Sequence, residues 1–273
     1  MAVPDTSHLF GGVAEQEKVN RNTETVLQFT QNTKRESMRT DWGNFPNAVI
    51  AHTASSITSH ANYLKAKAGD IDSALALVDN IISDNYLKQI HDIVKGIDDV
   101  YVLPVHAEEQ LGRNKIPMAF ALTIGKNLNL NVETNIVQAN KVNRSGADGV
   151  ARLLKRVNFN GKVTKGRNYL IVDDVITQGG TLADLRAYVE QNGGNVVLVS
   201  ALNGKENSAK LPITKVTLGQ LRKQAGKDLE QWWWEQFNYD FSKLTESEAR
   251  YLTKQIHRNG IDAVRDSLFE TRP

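Results

Sequence analysis

Residues 169–181 read Tyr169-Leu170-Ile171-Val172-Asp173-Asp174-Val175-Ile176-Thr177-Gln178-Gly179-Gly180-Thr181. The first four are apolar without a polar break, the pattern of a strand covered on both faces in a parallel sheet. Two acids end that run and a Thr/Gly loop follows. Thr181 to Gln191 then sets Leu182, Leu185 and Val189 on one helical face. A loop that enters a helix directly turns the helix's first unsatisfied amides and its positive dipole end outward. That is an anion site, and glycines let a phosphate approach the backbone closely. Thr177 and Thr181 add hydroxyl donors. Asp173 and Asp174 stand at the carboxyl end of the strand, the edge where open α/β sheets bind ligands. Carboxylates there can accept hydrogen bonds from vicinal hydroxyls, and a phosphate separated from a diol by one sugar ring describes ribose 5-phosphate. The bland alternative is an acid pair that caps a turn and a glycine pair that makes it. Strand, paired acids, Thr-x-Gly-Gly-Thr and helix in one register is a rarer combination and favours the ligand. Neither a Walker A loop nor a G-x-G-x-x-G pattern occurs.

Upstream, Val100 to Val105 is a short β-branched run, Pro117 opens a helical stretch from Met118 to Leu128, and Val132 to Val137 reads as a strand. Downstream, Gly193-Gly194 ends the helix and Val196 to Val199 is again a continuous apolar strand. Apolar strands separated by helical or loop segments, at a spacing of roughly 30 residues, predict βαβ units and an α/β fold with a parallel, Rossmann-like sheet. This core spans 99–205. Residues 1–45 are polar and predict a peripheral arm, with a helix over Ala14 to Phe29. Residues 46–98 predict a helical addition, in which Asp70 caps a helix carrying Ile71, Ala74, Leu75, Val78, Ile81 and Ile82. Residues 206–273 predict a second helical addition. There Leu229, Trp232, Trp233 and Phe237 share a face that Trp234 leaves, and Thr245-Glu246-Ser247-Glu248 is a capping box.

The chain has 273 residues, 40% hydrophobic and 23% charged, with a net charge of +2. Such a balance gives no global electrostatic reason to bind DNA or a membrane surface. The absence of cysteine excludes disulfides, thiolate metal sites and a cysteine nucleophile. His52, His60, His91 and His106 lack metal-ligand spacing. No signal peptide and no apolar run of about 18 residues is present, so a cytoplasmic location is expected.

The run 169–181 resembles the 5-phosphoribosyl-1-pyrophosphate (PRPP) motif of type I phosphoribosyltransferases, with Gln178 where the family often has a threonine. The likeness extends over residues 95–205. It implies Mg²⁺ as cofactor, PRPP and an unidentified acceptor as small-molecule substrates, and a homodimer as the common assembly. Asp173 and Asp174 would hold the ribose hydroxyls, with Mg²⁺ bound indirectly through those hydroxyls or water. Val175, Ile176, Thr177, Gln178, Gly179, Gly180 and Thr181 would cradle the 5-phosphate. The loop after the first core strand, Val105, His106, Ala107 and Glu108 with Arg113, would bind pyrophosphate; its acids Glu108 and Glu109 depart from what such a loop needs. A basic flap over Lys141 to Gly166, similar to that of ComF-like members, would clamp the leaving group through Arg152 and Arg156. Two alternatives keep the same pocket. One is a non-catalytic sensor of PRPP or nucleotide; the other is an effector with a protein or nucleic-acid partner.

Overall fold

The computed structural model describes residues 39–106, 108–109, 112–140, 153–154 and 156–270. Their centre is a five-stranded sheet in the order β1-β9-β8-β2-β5, in which each neighbouring pair is parallel. The strands are β1 (Val49–His52), β2 (Val100–Pro104), β5 (Asn131–Val132), β8 (Asn168–Ile176) and β9 (Asn195–Gly204). Two short antiparallel pairs lie outside it, β3 (Glu108–Glu109) with β4 (Gly112–Arg113) and β6 (Val137–Gln138) with β7 (Phe159–Asn160). The α/β class with a parallel sheet is therefore as expected.

Central β8 has no polar face until its acids because both of its faces are covered. Leu170 and Val172 pack with helices α1 (Tyr63–Lys67), α2 (Ile71–Ile81), α3 (Asp84–Val94) and α4 (Ile116–Leu128). Tyr169 and Ile171, of opposite parity in the strand, pack with α5 (Gly180–Gln191). Asp70 caps α2 as predicted, accepting from the amides of Asp72 and Ser73. Pro117 lies in the first turn of α4. A third apolar layer joins Leu153 and Leu154 to α6 (Lys215–Phe237), α7 (Glu246–Asn259) and α8 (Ile261–Glu270). Gly226, at φ 68°, breaks α6 into two helical halves. Trp233 is buried in this layer and Trp234 is about half exposed, as the helical face predicts.

Three expectations are corrected. Residues 46–98 are not purely helical, because β1 is an edge strand of the main sheet. Its four residues are too few to show a period of their own. A buried polar pair fixes it, since Ser200 Oγ donates to the Val49 carbonyl at 2.7 Å and accepts from Tyr86. The expected single strand over 132–137 is two strands in different sheets. Glu133 accepts from the backbone and side-chain nitrogens of Asn135 (2.9 and 3.0 Å), and this local turn competes with the ladder. Finally, the last residues of the supposed peripheral arm are interior. Arg39 and Trp42 are buried, and Trp42 Nε1 donates to the Leu244 carbonyl at 2.8 Å. The helix expected over Ala14 to Phe29 lies outside the described residues.

Arg39 anchors a buried ion cluster between the core and the C-terminal layer. It pairs through two nitrogens with Glu248 of α7 and through Nε with Asp184 of α5, at 3.1 Å. Arg156 joins the cluster from the other side, on Asp184 and, at 3.9 Å, on Glu248. Burial alone would raise the Glu248 carboxyl, but the charge and hydrogen bonds of Arg39, with Arg156 and the Thr245 amide, hold it at about 2. Its contribution to stability is thus complete above the ordinary 4.5 and is lost as pH falls from there toward about 2. Arg39→Ala leaves two buried carboxylates short of a cation and is expected to cost about 3–5 kcal/mol in urea unfolding at pH 7. The deficit relative to wild type should shrink at acid pH, where Glu248 takes up a proton.

Candidate functional site

Adjacent strands β2 and β8 send their chain in opposite directions. After β2 the chain passes through α4 to β5 at one edge; after β8 it passes through α5 to β9 on the other side, and the two helices cover opposite faces. The carboxyl ends of β2 and β8 therefore flank a topological switch point, where such sheets open a crevice for ligands. Asp173 and Asp174 end β8 at that point. Val105 continues β2 beside them, its amide donating to the Val172 carbonyl at 2.8 Å.

The two acids leave the strand on opposite faces, as successive strand residues must. Asp174 takes the α1–α4 side. Its Oδ2 accepts from Lys67 Nζ at 3.0 Å and from Asn114 Nδ2 at 2.9 Å. Asn114 in turn accepts from the Ile116 amide at 3.1 Å and so opens α4. Asp173 takes the α5 side, with Oδ1 accepting from the Asp174 amide at 2.9 Å. Burial and then the neighbouring Asp174 charge push the Asp173 carboxyl well above the usual carboxylate range, against the weaker pull of Lys67. A cation delivered here by a ligand would favour the ionised form. Lys67 and Asn114 were not legible as site residues. Lys67 sits on a five-residue helix without an apolar stripe, and Asn114 signals only a cap before Pro117.

Beyond Ile176 the chain turns through Thr177, which is exposed, and half-buried Gln178. Gly179 takes a left-handed conformation, φ 76° and ψ 5°, and serves as N-cap of α5 without a side chain to close its first turn. A Cβ on Gly179 would lie 2.7 Å from Leu211 Cδ2 and 3.5 Å from Thr245 Cγ2. The back of the loop is thus filled by Leu211 and Thr245, while Thr177 is exposed and Thr181 half-buried.

Among the other predicted residues, Val105 is buried in the core. His106 is half-buried and its Nε2 has no hydrogen-bond partner among the described residues. Burial, then the charges of Arg113 and Lys115, lower the His106 pKa. Arg113 is exposed, on the β3–β4 hairpin. Arg156 is a correction. Its guanidinium is tied to Asp184 and Glu248 and lies 5.2 Å from the Tyr239 ring. It braces α5 from inside, so it is no clamp at the mouth of the crevice. Its interior setting was hidden because its partners lie far along the chain. Arg152, Ala107, the flap residues 141–151 and Lys155, and the side chain of Glu108 lie outside the described residues. No group of three ligating side chains suited to a metal ion occurs among the described residues, and none of their helices is long and apolar enough to cross a membrane.

No family model matches the chain. Over 86% of its length it is 38% identical to protein TraN of Escherichia coli, of which it spans 51%, about half. A stretch of 58 residues, 19% of this chain and 32% of the relative, is 41% identical to adenine phosphoribosyltransferase of Corynebacterium kroppenstedtii. A solved adenine phosphoribosyltransferase structure aligns with 51% of this chain and 74% of its own at 16% identity, with a TM-score of 0.35.

Gly179→Ala forces a side chain into the left-handed region and against Leu211. It is expected to destabilise the fold by about 1–2 kcal/mol from the backbone alone, read as a lower urea midpoint, whereas alanine at exposed Thr177 should leave the midpoint within about 0.5 kcal/mol.

Proposed function

We propose that this chain binds PRPP with Mg²⁺ at the carboxyl end of β8 and transfers its 5-phosphoribosyl group to a nitrogen nucleophile, releasing pyrophosphate. The observation that carries this reading is the coincidence, at the switch point between β2 and β8, of an acid pair and a glycine loop entering α5. The stretch shared with an adenine phosphoribosyltransferase supports the same chemistry. The loop from Val175 to Thr181 would take the 5-phosphate on its amides and hydroxyls, and Asp173 and Asp174 would accept from the ribose hydroxyls on either side of the strand end.

The donor set fits Mg²⁺ only in an outer role. Two carboxylates, one already paired with Lys67, are too few for a protein cage. Mg²⁺ normally keeps several waters and binds through ligand oxygens. The ion would supply charge neutralisation of the departing pyrophosphate. In the reaction the C1–O bond to pyrophosphate breaks with its electron pair, the nitrogen lone pair forms the new C1–N bond, and the nitrogen releases its proton. Positive charge develops on the sugar, where the ionised carboxylates beneath the ring would stabilise it. Arg113 and Lys115 would supply positive charge at the pyrophosphate end, beside a His106 whose lowered pKa favours the neutral imidazole. Lys67 donates to Asp174 at 3.0 Å and would hold that carboxylate in place for the ligand.

A second reading, ligand sensing without turnover, is favoured by one observation: Arg156, expected to act on the leaving group, is engaged internally. Release of pyrophosphate from PRPP with one member of a panel of nucleobases supports transfer; tight PRPP binding without release supports sensing. Either way the double variant Asp173→Asn, Asp174→Asn should retain its circular dichroism spectrum. Its Mg²⁺-dependent PRPP affinity should drop a hundredfold or more in calorimetry, about 2.7 kcal/mol. Unchanged affinity refutes the ribose role of the pair.

A further inference from the structure

The C-terminal layer meets the glycine loop through one hydroxyl. Thr245, fully buried, is the N-cap of α7: its Oγ1 accepts from the Glu248 amide at 3.0 Å. With that lone pair engaged, the same hydroxyl donates to the Gln178 carbonyl at 2.5 Å. Glu248 closes the capping box on the Thr245 amide at 2.9 Å and is itself held by Arg39. The position of the hydroxyl is therefore fixed by the buried ion cluster and is not left to side-chain rotation.

A planar trans peptide points its C=O and N–H in opposite directions. Holding the Gln178 carbonyl toward α7 turns the Gly179 N–H away from α7. Leu211 and Thr245 fill the space behind Gly179, so the loop cannot retreat. From this geometry we infer that Thr245 is a positioning residue for anion binding, which acts through the Gln178–Gly179 peptide without touching the ligand. The inference rests on the phosphate-loop reading given above. It makes residues 206–273 part of the site and not an appendage to it.

Calorimetry with ribose 5-phosphate on the full chain tests it. Thr245→Val removes the hydroxyl at nearly constant volume, Thr245→Ala removes it with less bulk, and Thr245→Ser keeps it. Thr214→Val is the control, because Thr214 caps α6 in the same way, accepting from the Thr217 amide, but holds no loop carbonyl. Affinity is expected to drop tenfold or more in the valine and alanine variants and to stay within threefold of wild type in Thr245→Ser and Thr214→Val. Wild-type affinity in a folded valine or alanine variant overturns the inference, as does an equal loss in Thr214→Val, which would mark a general effect of stability. If neither variant folds, the wild-type Gly179 amide decides. Its proton resonance should move downfield on adding ribose 5-phosphate; a silent Gly179 beside responding neighbours overturns the inference. A wild-type chain that binds no ribose 5-phosphate refutes the phosphate-loop reading itself.

Discussion

The direct hand-over from β8 to α5 is the constraint on which the rest of the site depends. A strand buried on both faces cannot end in carboxylates unless something polar meets them, and a helix cannot begin without an answer for its first amides. In this chain both demands fall within a few residues. Lys67 and Asn114 meet Asp174 on one face, and a left-handed glycine caps α5 without a side-chain hydrogen bond of its own. The result is a strand end with paired acids followed within a few residues by the first turn of α5.

Two ionic groupings divide the work. Arg39, Arg156, Asp184 and Glu248 form an interior cluster that locks α5, the residues around 39–42 and α7 together. Charges this deep are costly unless paired, so the cluster specifies one arrangement of these layers more than it adds net stability. Lys67, Asp173 and Asp174 form the other grouping, at the end of β8, where burial and the Asp174 charge raise the Asp173 carboxyl. The sequence alone does not show that Arg156 belongs to the interior cluster. Arg156 looks like a flap residue because it follows a basic, glycine-bearing stretch, yet its partners are an acid on α5 and another on α7.

What could be read from the residues alone was whatever is local. The Tyr169–Val172 run, the Asp70 and Thr245 caps, Pro117 at the head of α4 and the Leu229–Trp233 face all follow from neighbours within a turn or two, and all appear in the fold. β1 escaped because a four-residue edge strand carries too little pattern, and it is held by Ser200 from far along the chain. The break between β5 and β6 escaped because a glutamate side chain, not a glycine or proline, ends the strand. Of the site, the acid pair and the loop were legible. Lys67, Asn114 and the support from Thr245 were not, since each becomes a neighbour of the loop or the acids only when separate layers pack.

A crystal structure of the chain with ribose 5-phosphate tests the central claim most directly. The account predicts the phosphate within hydrogen-bond distance of the amides between Thr177 and Thr181, and the ring hydroxyls facing Asp173 and Asp174. A phosphate bound elsewhere, or a sugar turned away from both carboxylates, would contradict it.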